Sequence, residues 1–351
     1  EQLSTIYDVV NSGRFLNAKN AIEGTIVGDV TVLQTGVSEP VEEPAEEQIE
    51  LYSNGGNDQW SLVGTTNTSR YDFATEVYNN RIYVMGGTDN ETGEALNTVE
   101  VYDTISGTWT ELSPMPHSRN NPKSILVLDK IYVFSGKNSD KAIDIYDINT
   151  NTWSTPMEFP YDNDGYAVGV KDNGDNNPPE SMEIFVFGGN NTRNVYKYTI
   201  SNDEWSQTVS LMSNMTDPRV VYAQYDISDT GFYLVDGSCN GRALSYNENA
   251  QYIDDTVEDL SGFSMAATPD LSTNDISNDF RIYITGGADI NGENAVQSCS
   301  ALYYNDAIYG SQVSWLGMQR LPEAMSYHGT EIVDGYMYVF GGKTSNNIYR
   351  I

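Results

Sequence analysis

One short phrase occurs six times along this chain and constrains its fold more than any other feature. In each copy, a run rich in β-branched and aromatic residues ends in a doublet that contains glycine. Such residues favour strands, and glycine permits a sharp turn at the end of each run. The chain therefore repeats one β-rich unit. The copies are IYVMGG (82–87), IYVFSG (131–136), IFVFGG (184–189), FYLVDG (232–237), IYITGG (282–287) and MYVFGG (337–342).

The spacing of the doublets indicates how the units are arranged. Successive doublets begin 48 to 55 residues apart, and a period of about 50 residues with several short strands per repeat is typical of a β-propeller. The runs are apolar on both faces, as expected for strands covered by a neighbouring sheet on each side. Ser135 and Asp236 replace the first glycine in two copies. Because aspartate tolerates left-handed backbone geometry, we expect the turn to survive there.

A tyrosine and a tryptophan, seven residues apart, follow three of the doublets. Turn-forming strings separate the two aromatic residues, which predicts a hairpin of third and fourth strands with tryptophan as a packing anchor. The pairs are Tyr102 and Trp109, Tyr146 and Trp153, and Tyr198 and Trp205. With these features in register, roughly residues 50 to 351 resemble the Kelch repeat family. The resemblance implies an all-β fold, and the six doublets predict a six-bladed Kelch-type β-propeller. The residues before the repeats predict a short N-terminal helix/strand arm.

The two ends of the repeat region predict how the ring closes. The last repeat stops at Ile351 without a fourth strand, and the segment around Trp60 resembles a third-plus-fourth-strand hairpin without a doublet. We therefore predict that residues near Trp60 supply the outer strand of the final blade, which leaves no open edge. Tyr52 and Tyr349 both resemble third-strand tyrosines, and only one is needed. The propeller is predicted over 50–351.

The remaining N-terminal residues divide into an arm, 1–37, and an acidic Pro/Glu linker, 38–49, that is expected to be extended. In the arm, apolar residues at helical spacing precede an alternating, strand-like segment. The arm is too short to form a core of its own, so we expect it to dock on the propeller or on a neighbouring molecule. Self-association or assembly through residues 1–37 follows as a prediction. The helical positions are Ile6, Val9, Val10, Phe15 and Ile22.

The charge of the chain is strongly negative, with 50 acidic and 18 basic residues and a formal net charge of −32. Such a surface repels nucleic acid and anionic membranes, so neither is expected as a partner. The chain contains no stretch long and apolar enough to span a bilayer, and no membrane insertion is expected. The charge alternatively serves solubility alone.

Several features favour an extracellular or surface-exposed protein. The chain starts at Glu1 rather than at a methionine, which fits either a removed leader or a trimmed chain. Four possible N-glycosylation sequons support secretion, although an asparagine-rich chain also yields sequons by chance. Cys239 and Cys299 follow the doublets of consecutive repeats, and either a disulfide between blades or two unpaired thiols fits that placement. The sequons begin at Asn67, Asn90, Asn190 and Asn214.

The few basic residues concentrate in particular loops. Kelch propellers usually bind ligands on the face made by loops between blades and loops after the doublets, and the resemblance places nine of the 18 basic residues there. A basic centre on so acidic a protein would attract a carboxylate or an acidic peptide. Alternatively, Arg70, Arg119 and Arg219 brace the blades. The candidates for a ligand-binding face are Arg70, Tyr71, Arg119, Asn120, Tyr161, Arg193, Arg219, Arg242, Tyr327, His328 and Lys343.

Sequence signals for catalysis are weak. The chain has two histidines, His117 and His328, and contains no nucleophile elbow, P-loop, HExxH or CxxC pattern. No cofactor and no catalytic residue is predicted. Acidic loops offer oxygen ligands for Ca²⁺, but they do not match the spacing of an EF-hand loop, and a solvated polar hairpin is the preferred explanation. These weak calcium candidates are Asp162, Asp164, Asp172 and Asp175.

The residues thus favour a non-catalytic, extracellular or surface-exposed binding or scaffold propeller that recognises protein or glycan through its inter-blade loops. Such a propeller could also be a structural subunit of a larger assembly. The alternative is a sugar-active, mutarotase-like enzyme. The central channel separates the two hypotheses. His117, His328 and arginines converging in a deep pocket would favour the enzyme, whereas a broad, shallow face would favour binding.

Overall fold

The structure is a computed structural model of the chain. The described residues contain β-strands and no α-helix. Among them, therefore, no helix is long and apolar enough to cross a membrane. The predicted arm, 1–37, and linker, 38–49, lie outside the described residues, so their boundaries stay predictions. The described ranges are 59–136, 141–154, 157–161, 164–171, 182–226, 229–238, 242–246, 248, 251–254, 259–267, 281–289, 293–305 and 312–351.

The repeat region forms six antiparallel sheets, which confirms the six-bladed propeller. Each blade has four consecutive strands, from the innermost to the outermost, and the last blade borrows its outer strand from the beginning of the repeat region.

The strands of the first three blades are as follows. Blade 1 contains β3 (Ala74–Tyr78), β4 (Arg81–Met85), β6 (Val99–Asp103) and β7 (Thr108–Glu111); blade 2 contains β8 (Lys123–Val127), β9 (Lys130–Phe134), β10 (Ala142–Asp147) and β11 (Thr152–Trp153), with β12 (Met157–Glu158) also paired to β10; blade 3 contains β13 (Ala167–Lys171), β14 (Glu183–Phe187), β15 (Val195–Thr199) and β16 (Glu204–Gln207).

The other three blades continue the pattern. Blade 4 contains β17 (Arg219–Asp226), β18 (Asp229–Val235), β19 (Ala243–Tyr246) and β20 (Gln251–Asp254); blade 5 contains β21 (Ser264–Ala267), β22 (Arg281–Thr285), β23 (Cys299–Asn305) and β24 (Gln312–Gly317); blade 6 contains β25 (Gly329–Val333), β26 (Tyr336–Phe340), β27 (Asn347–Arg350) and β1 (Ser61–Thr65). A two-residue ladder joins β2 (Arg70–Tyr71) to β5 (Thr88–Asp89) in the loops.

Ring closure occurs as predicted. β1 pairs antiparallel with β27, from Ser61 opposite Arg350 to Thr65 opposite Asn347. Trp60 packs against the cluster between blades 5 and 6, and its indole nitrogen donates to the Gln319 carbonyl at 3.2 Å. Tyr349 lies on β27, the third strand of blade 6, whereas Tyr52 is outside the described residues. Closure pairs the edge of the last blade, which would otherwise be open to another chain.

Among the described residues, the hydrophobic core forms six clusters, each shared by two neighbouring blades. On β4, Ile82 and Val84 pack toward blade 6, while Tyr83 and Met85 pack toward blade 2. Side chains of a strand alternate between its two faces. A strand whose blade is covered by a neighbouring blade on each face must therefore be apolar at every position. This explains the continuous apolar runs before the doublets.

The doublets turn the chain at the end of each second strand. Gly86 and Gly87 have positive φ values of 60° and 94°, and a Cβ on Gly87 would lie 2.8 Å from the Tyr71 carbonyl oxygen. The turn survives at the replaced doublet of blade 4, where the Asp236 amide donates to the Arg242 carbonyl at 2.9 Å and the Gly237 amide donates to Thr216 at 3.0 Å. The reason given for it was wrong, because neither Ser135 nor Asp236 has positive φ. The Asp236 carboxylate instead accepts hydrogen bonds from the backbone amides of Thr216 and Ser238, at 3.0 and 3.2 Å.

The predicted outer hairpins are present. Tyr102 pairs with Trp109 across β6 and β7, and their ring centroids are 5.1 Å apart. The same pairing and the same spacing recur for Tyr146 with Trp153 and for Tyr198 with Trp205. Aromatic pairs in this range stabilise a hairpin by about 0.5–1.5 kcal/mol beyond area burial.

Candidate ligand-binding face

The six innermost strands converge on a cavity of about 140 Å³, which we call the mouth. Residues at the start of all six strands line it. The residue two positions before each innermost strand has a positive φ, between 44° and 56°. We call these six residues the mouth ring. They are Asp72, Asn121, Gly165, Asp217, Gly262 and Tyr327.

Backbone hydrogen bonds join members of the mouth ring across blade boundaries. The amide of Asp72 donates to the carbonyl of Tyr327 at 3.0 Å, and the amide of Tyr327 donates to Gly262 at 2.6 Å. The amide of Asp217 donates to Gly165 at 2.8 Å. Glycine, aspartate and asparagine adopt left-handed geometry with little cost. In five of the six blades, the residue two positions before the innermost strand is thus of a type that readily adopts the positive φ found there.

Tyr327 is the exception in the mouth ring. A bulky residue at φ 55° carries strain of order 1–3 kcal/mol. Its aromatic ring lies against Gly262, where a Cβ would approach the ring atoms to 2.8 Å. The absence of a side chain at Gly262 therefore makes room for the tyrosine, and the two backbone bonds of Tyr327 hold it there.

Charges at the mouth compensate one another. The Lys123 ammonium and the Arg219 guanidinium each lie 3.0 Å from Oδ1 of Asp217. The same oxygen accepts a hydrogen bond of 3.1 Å from the side-chain amide of Asn121. Burial, together with the neighbouring Arg219, lowers the pKa of Lys123 to about 8 against the attraction of Asp217. Burial alone would raise the pKa of Asp217, but Arg219 and Lys123 hold it well below its usual range.

The two histidines do not converge. His328 lines the mouth and is buried, and its Nε2 lies 2.9 Å from the Thr285 hydroxyl. Burial lowers its pKa to about 3, with Arg219 adding to the effect, so His328 is neutral at physiological pH. His117 is not among the mouth residues, and its Nδ1 lies 3.0 Å from the Asp144 carboxylate within blade 2.

Two of the predicted arginines make buried contacts within their own blades. Arg70 is 1% exposed, forms an ion pair with Glu100, and donates to the Gly86 carbonyl at 2.9 Å. Arg119 is 3% exposed and pairs with Asp144 at 2.8 Å. These geometries correspond to the bracing role that was the alternative for them. Arg219 differs, since it lies at the mouth.

Three other candidates form one cluster beside the mouth, between blades 6 and 1. The rings of Tyr71 and Tyr327 meet edge to face, with centroids 6.2 Å apart. The Lys343 ammonium lies 6.0 Å from the first ring centroid and 5.9 Å from the second. Lys343 is exposed and both tyrosines are half-buried. We call Tyr71, Tyr327 and Lys343 the rim cluster.

The remaining candidates lie away from the rim cluster. Tyr161 stacks on Tyr196 with centroids 3.8 Å apart and packs on the cluster between blades 2 and 3. Arg193 is exposed in the loop after the third doublet, while Asn120 and Arg242 are half-buried. The structure therefore gathers only part of the predicted set into one place.

Other predicted sites fall partly outside the described residues. Asp162, Asp172 and Asp175 lie outside them, and Asp164 lies within them and is half-buried. In the described part of the chain, no group of three or more His, Cys, Asp or Glu residues could hold a metal ion. Cys239 is also outside, while Cys299 is buried at 3% exposure, so the disulfide stays a prediction.

The sequons differ in accessibility. Asn190 and Asn214 are exposed. The Asn90 amide nitrogen donates to the Ser69 hydroxyl at 2.9 Å and to the Gly342 carbonyl at 3.0 Å. The Asn67 amide nitrogen donates to Glu100. Glycosylation at Asn67 or Asn90 would have to replace these bonds.

Sequence reasoning missed part of the mouth ring. Asp72 and Asp217 were not among the candidates for the binding face, although Asp72 lines the mouth and Asp217 pairs there with Lys123 and Arg219. A signal was present in the sequence, because aligning the blades on their innermost strands places Gly, Asn or Asp at the same position in five of six copies.

Comparisons with known proteins agree with this architecture. The Kelch motif model matches residues 69–116, which cover blade 1. This match and the relatives below support a Kelch-repeat family for the chain. An F-box/kelch-repeat protein of Arabidopsis thaliana is 31% identical over 99 residues, covering 27% of this chain and 26% of that protein. Kelch-like protein 7 of Mus musculus is 37% identical over 76 residues, covering 21% of this chain and 13% of that protein.

The match to a solved structure extends further along the chain. The structure of YjhT aligns with a TM-score of 0.59 and 12% identity, covering 82% of this chain and 95% of that one. At such low identity the likeness shows the Kelch propeller fold alone. The matching segments of the two curated relatives span about a quarter or less of their lengths.

Proposed function

We propose that this Kelch-repeat protein is a non-catalytic binding module that holds a protein ligand on its loop face. The loop face comprises the loops that precede the innermost strands and the loops that follow the doublets. The rim cluster carries the proposal, because it places two tyrosines and an exposed lysine beside a polar mouth. Tyrosine is enriched among residues that dominate protein–protein binding, since it offers a large apolar ring with a polar tip.

The chemistry of the mouth supports binding over catalysis. An acid–base pair would need titratable groups that face a shared substrate position. Here His328 is neutral and bonded to Thr285, while Lys123 and Arg219 share the Asp217 carboxylate. The cavity, at about 140 Å³, is also small beside the 300–1,000 Å³ of ordinary ligand pockets. The observations expected for a sugar-active enzyme, two convergent histidines in a deep pocket, are not met.

Site-specific photo-cross-linking of the full chain tests this function. A photoreactive residue at Arg193 or Glu94, on the loop face, should capture a discrete protein partner in material from the native source. The matched positions Ile105 and Leu128 are exposed in turns at the opposite end of the blades and should capture none. Capture mainly from the opposite end would refute the proposal. Acceleration of sugar anomer exchange, followed by NMR, would favour the enzyme instead.

We also propose that the protein acts outside the cell, and that residues 1–37 join it to neighbouring molecules. The support for secretion is the four sequons, of which Asn190 and Asn214 are exposed. Intact mass before and after enzymatic deglycosylation of native protein should show glycans at these two sites first. Native mass spectrometry of the full chain and of a chain lacking residues 1–45 tests assembly. Equal monomeric masses would refute the assembly role.

A further inference from the structure

Internal pairing neutralises part of the positive charge expected on the loop face. Of the nine basic residues predicted there, four form ion pairs within the described residues. Arg70 pairs with Glu100, Arg119 pairs with Asp144, and Lys123 and Arg219 share Asp217. A partner's carboxylate would have to compete with these buried or half-buried contacts. Among the described residues, these four side chains are therefore not free to form a basic centre for an acidic ligand.

Acidic residues near the rim cluster remain exposed. The ladder between β2 and β5 places Tyr71 opposite Thr88, at the start of the loop 88–94. Within this loop, the Asp89 carboxylate accepts the amides of Glu91 and Thr92 at 2.9 and 2.8 Å, and the Glu91 and Glu94 side chains are exposed. The net charge of −32 adds a long-range field of the same sign.

The rim cluster already contains a cation against its aromatic pair. Lys343 lies about 6 Å from both ring centroids, within the range of a cation–π interaction. Two aromatic rings beside exposed carboxylates form a surface suited to a positively charged side chain. Arginine suits it best, because a guanidinium both stacks on rings and pairs with carboxylates. Lys343 occupies that surface in the absence of a partner.

We propose that the partner presents a basic segment whose arginine or lysine displaces Lys343 from the Tyr71–Tyr327 pair, while Glu91 and Glu94 bind neighbouring basic residues of that segment. This proposal rests on the proposed function and specifies the charge of the partner. It reverses the prediction of an acidic ligand. Lys343 then acts as an internal competitor rather than as a contact for a carboxylate.

Two synthetic probes test the proposal by calorimetric titration of the full chain at low salt. One probe is an acetylated, amidated heptapeptide in which arginine alternates with glycine, and the other carries glutamate in place of arginine. The arginine peptide should bind and the glutamate peptide should not. Removal of the competitor in Lys343→Met should tighten binding of the arginine peptide about two- to fivefold, the size expected for an exposed cation–π contact.

Matched tyrosine variants separate the rim cluster from diffuse attraction. Tyr71→Leu should weaken binding of the arginine peptide about two- to fivefold. Tyr336→Leu is the control, because Tyr336 is exposed at the opposite end of blade 6 and carries the Arg350 guanidinium 4.7 Å from its ring centroid. The control should bind like the parent chain. Parent-like binding by both variants would mean only diffuse attraction, and equal losses in both would mean an effect not specific to the rim cluster; either result would overturn the proposal.

Other results also decide against a basic partner. Preference for the glutamate peptide, weaker binding of the arginine peptide by Lys343→Met, or binding of neither peptide would each overturn it. Cross-linking distinguishes this failure from failure of the proposed function. Capture of a partner at Glu94 together with preference for glutamate would leave the binding function intact and reverse only the charge of the partner.

Discussion

Two carboxylates inside the propeller should make its stability fall as pH rises. Glu76 is the third residue of β3 and Glu331 the third of β25, on the innermost strands of neighbouring blades. The Glu76 carboxylate accepts the Ser124 hydroxyl at 2.6 Å and the Leu126 amide at 3.0 Å. Burial raises the pKa of Glu76 to about 8 despite these bonds, and the charge of Glu331 adds to the effect. Burial likewise raises the pKa of Glu331 to about 7.

The free energy of unfolding falls with rising pH because these two carboxyl groups have a higher proton affinity in the folded state. Each carboxyl has an ordinary pKa of 4.5, so the folded chain binds protons more tightly than the unfolded chain does. This contribution to stability is complete below about pH 4.5 and is lost as pH rises through about 7 to 8. For Glu76 the shift corresponds to at most about 5 kcal/mol, at about 1.36 kcal/mol per pKa unit. Because both side chains are only half-buried, roughly 2 kcal/mol is expected after solvent screening.

The substitution Glu76→Gln tests the reasoning. It keeps an acceptor for Ser124 or Leu126 and removes the charge, so the free energy of unfolding should rise by about 2 kcal/mol at pH 8 and change little at pH 5. Urea unfolding followed by tryptophan fluorescence measures both values. Glu111→Gln, on the exposed edge strand β7, is the control for the loss of one charge from an acidic protein. Parallel pH profiles for the parent chain and Glu76→Gln would refute the argument.

Three further predictions concern the frame of the ring. Removing residues 1–65 deletes the outer strand of blade 6 and should lower the unfolding temperature in calorimetry, and an unchanged value would contradict ring closure. Gly262→Ala should destabilise the fold by about 1–3 kcal/mol in urea unfolding because a Cβ would meet the mouth tyrosine, whereas Gly317→Ala, in open space, should not. Asp144→Ala leaves buried Arg119 without its carboxylate and should cost about 3–5 kcal/mol by the same assay; a cost below about 1 kcal/mol would contradict a bracing role.

The fold was predictable because its determinants are local and periodic. Each second strand needs apolar residues on both faces and a turn at its end, and both demands appear within six consecutive residues. Ring closure was predictable for a related reason. The last repeat lacks a fourth strand, and the segment that follows Trp60 forms a strand with no blade of its own, which pairs with β27. At the two replaced doublets left-handed geometry does not occur, and at Asp236 the side chain accepts hydrogen bonds from the backbone amides of Thr216 and Ser238 instead.

The charge of the loop face was not predictable from the positions of its basic residues. Arg70 and Glu100 are 30 residues apart in sequence, and only the register of strands in blade 1 makes them an ion pair. Lys123 and Asp217 are 94 residues apart and meet because their blades both border the mouth. The repeat pattern shows which basic residues lie in loops. Ion pairs between residues far apart in sequence determine which of these basic side chains are free to bind a ligand.

Tyr327 connects the frame of the propeller with its proposed binding surface. Its backbone bonds to blade 5 through Gly262 and to blade 1 through Asp72, and its side chain is half of the aromatic pair. Strain at a bulky residue with positive φ persists only where the surroundings over-determine the conformation. Here the two backbone bonds and the space above Gly262 supply that constraint. A ligand at the rim cluster would therefore contact a tyrosine whose position is fixed before binding. The entropic cost of ordering that side chain on binding would then be small.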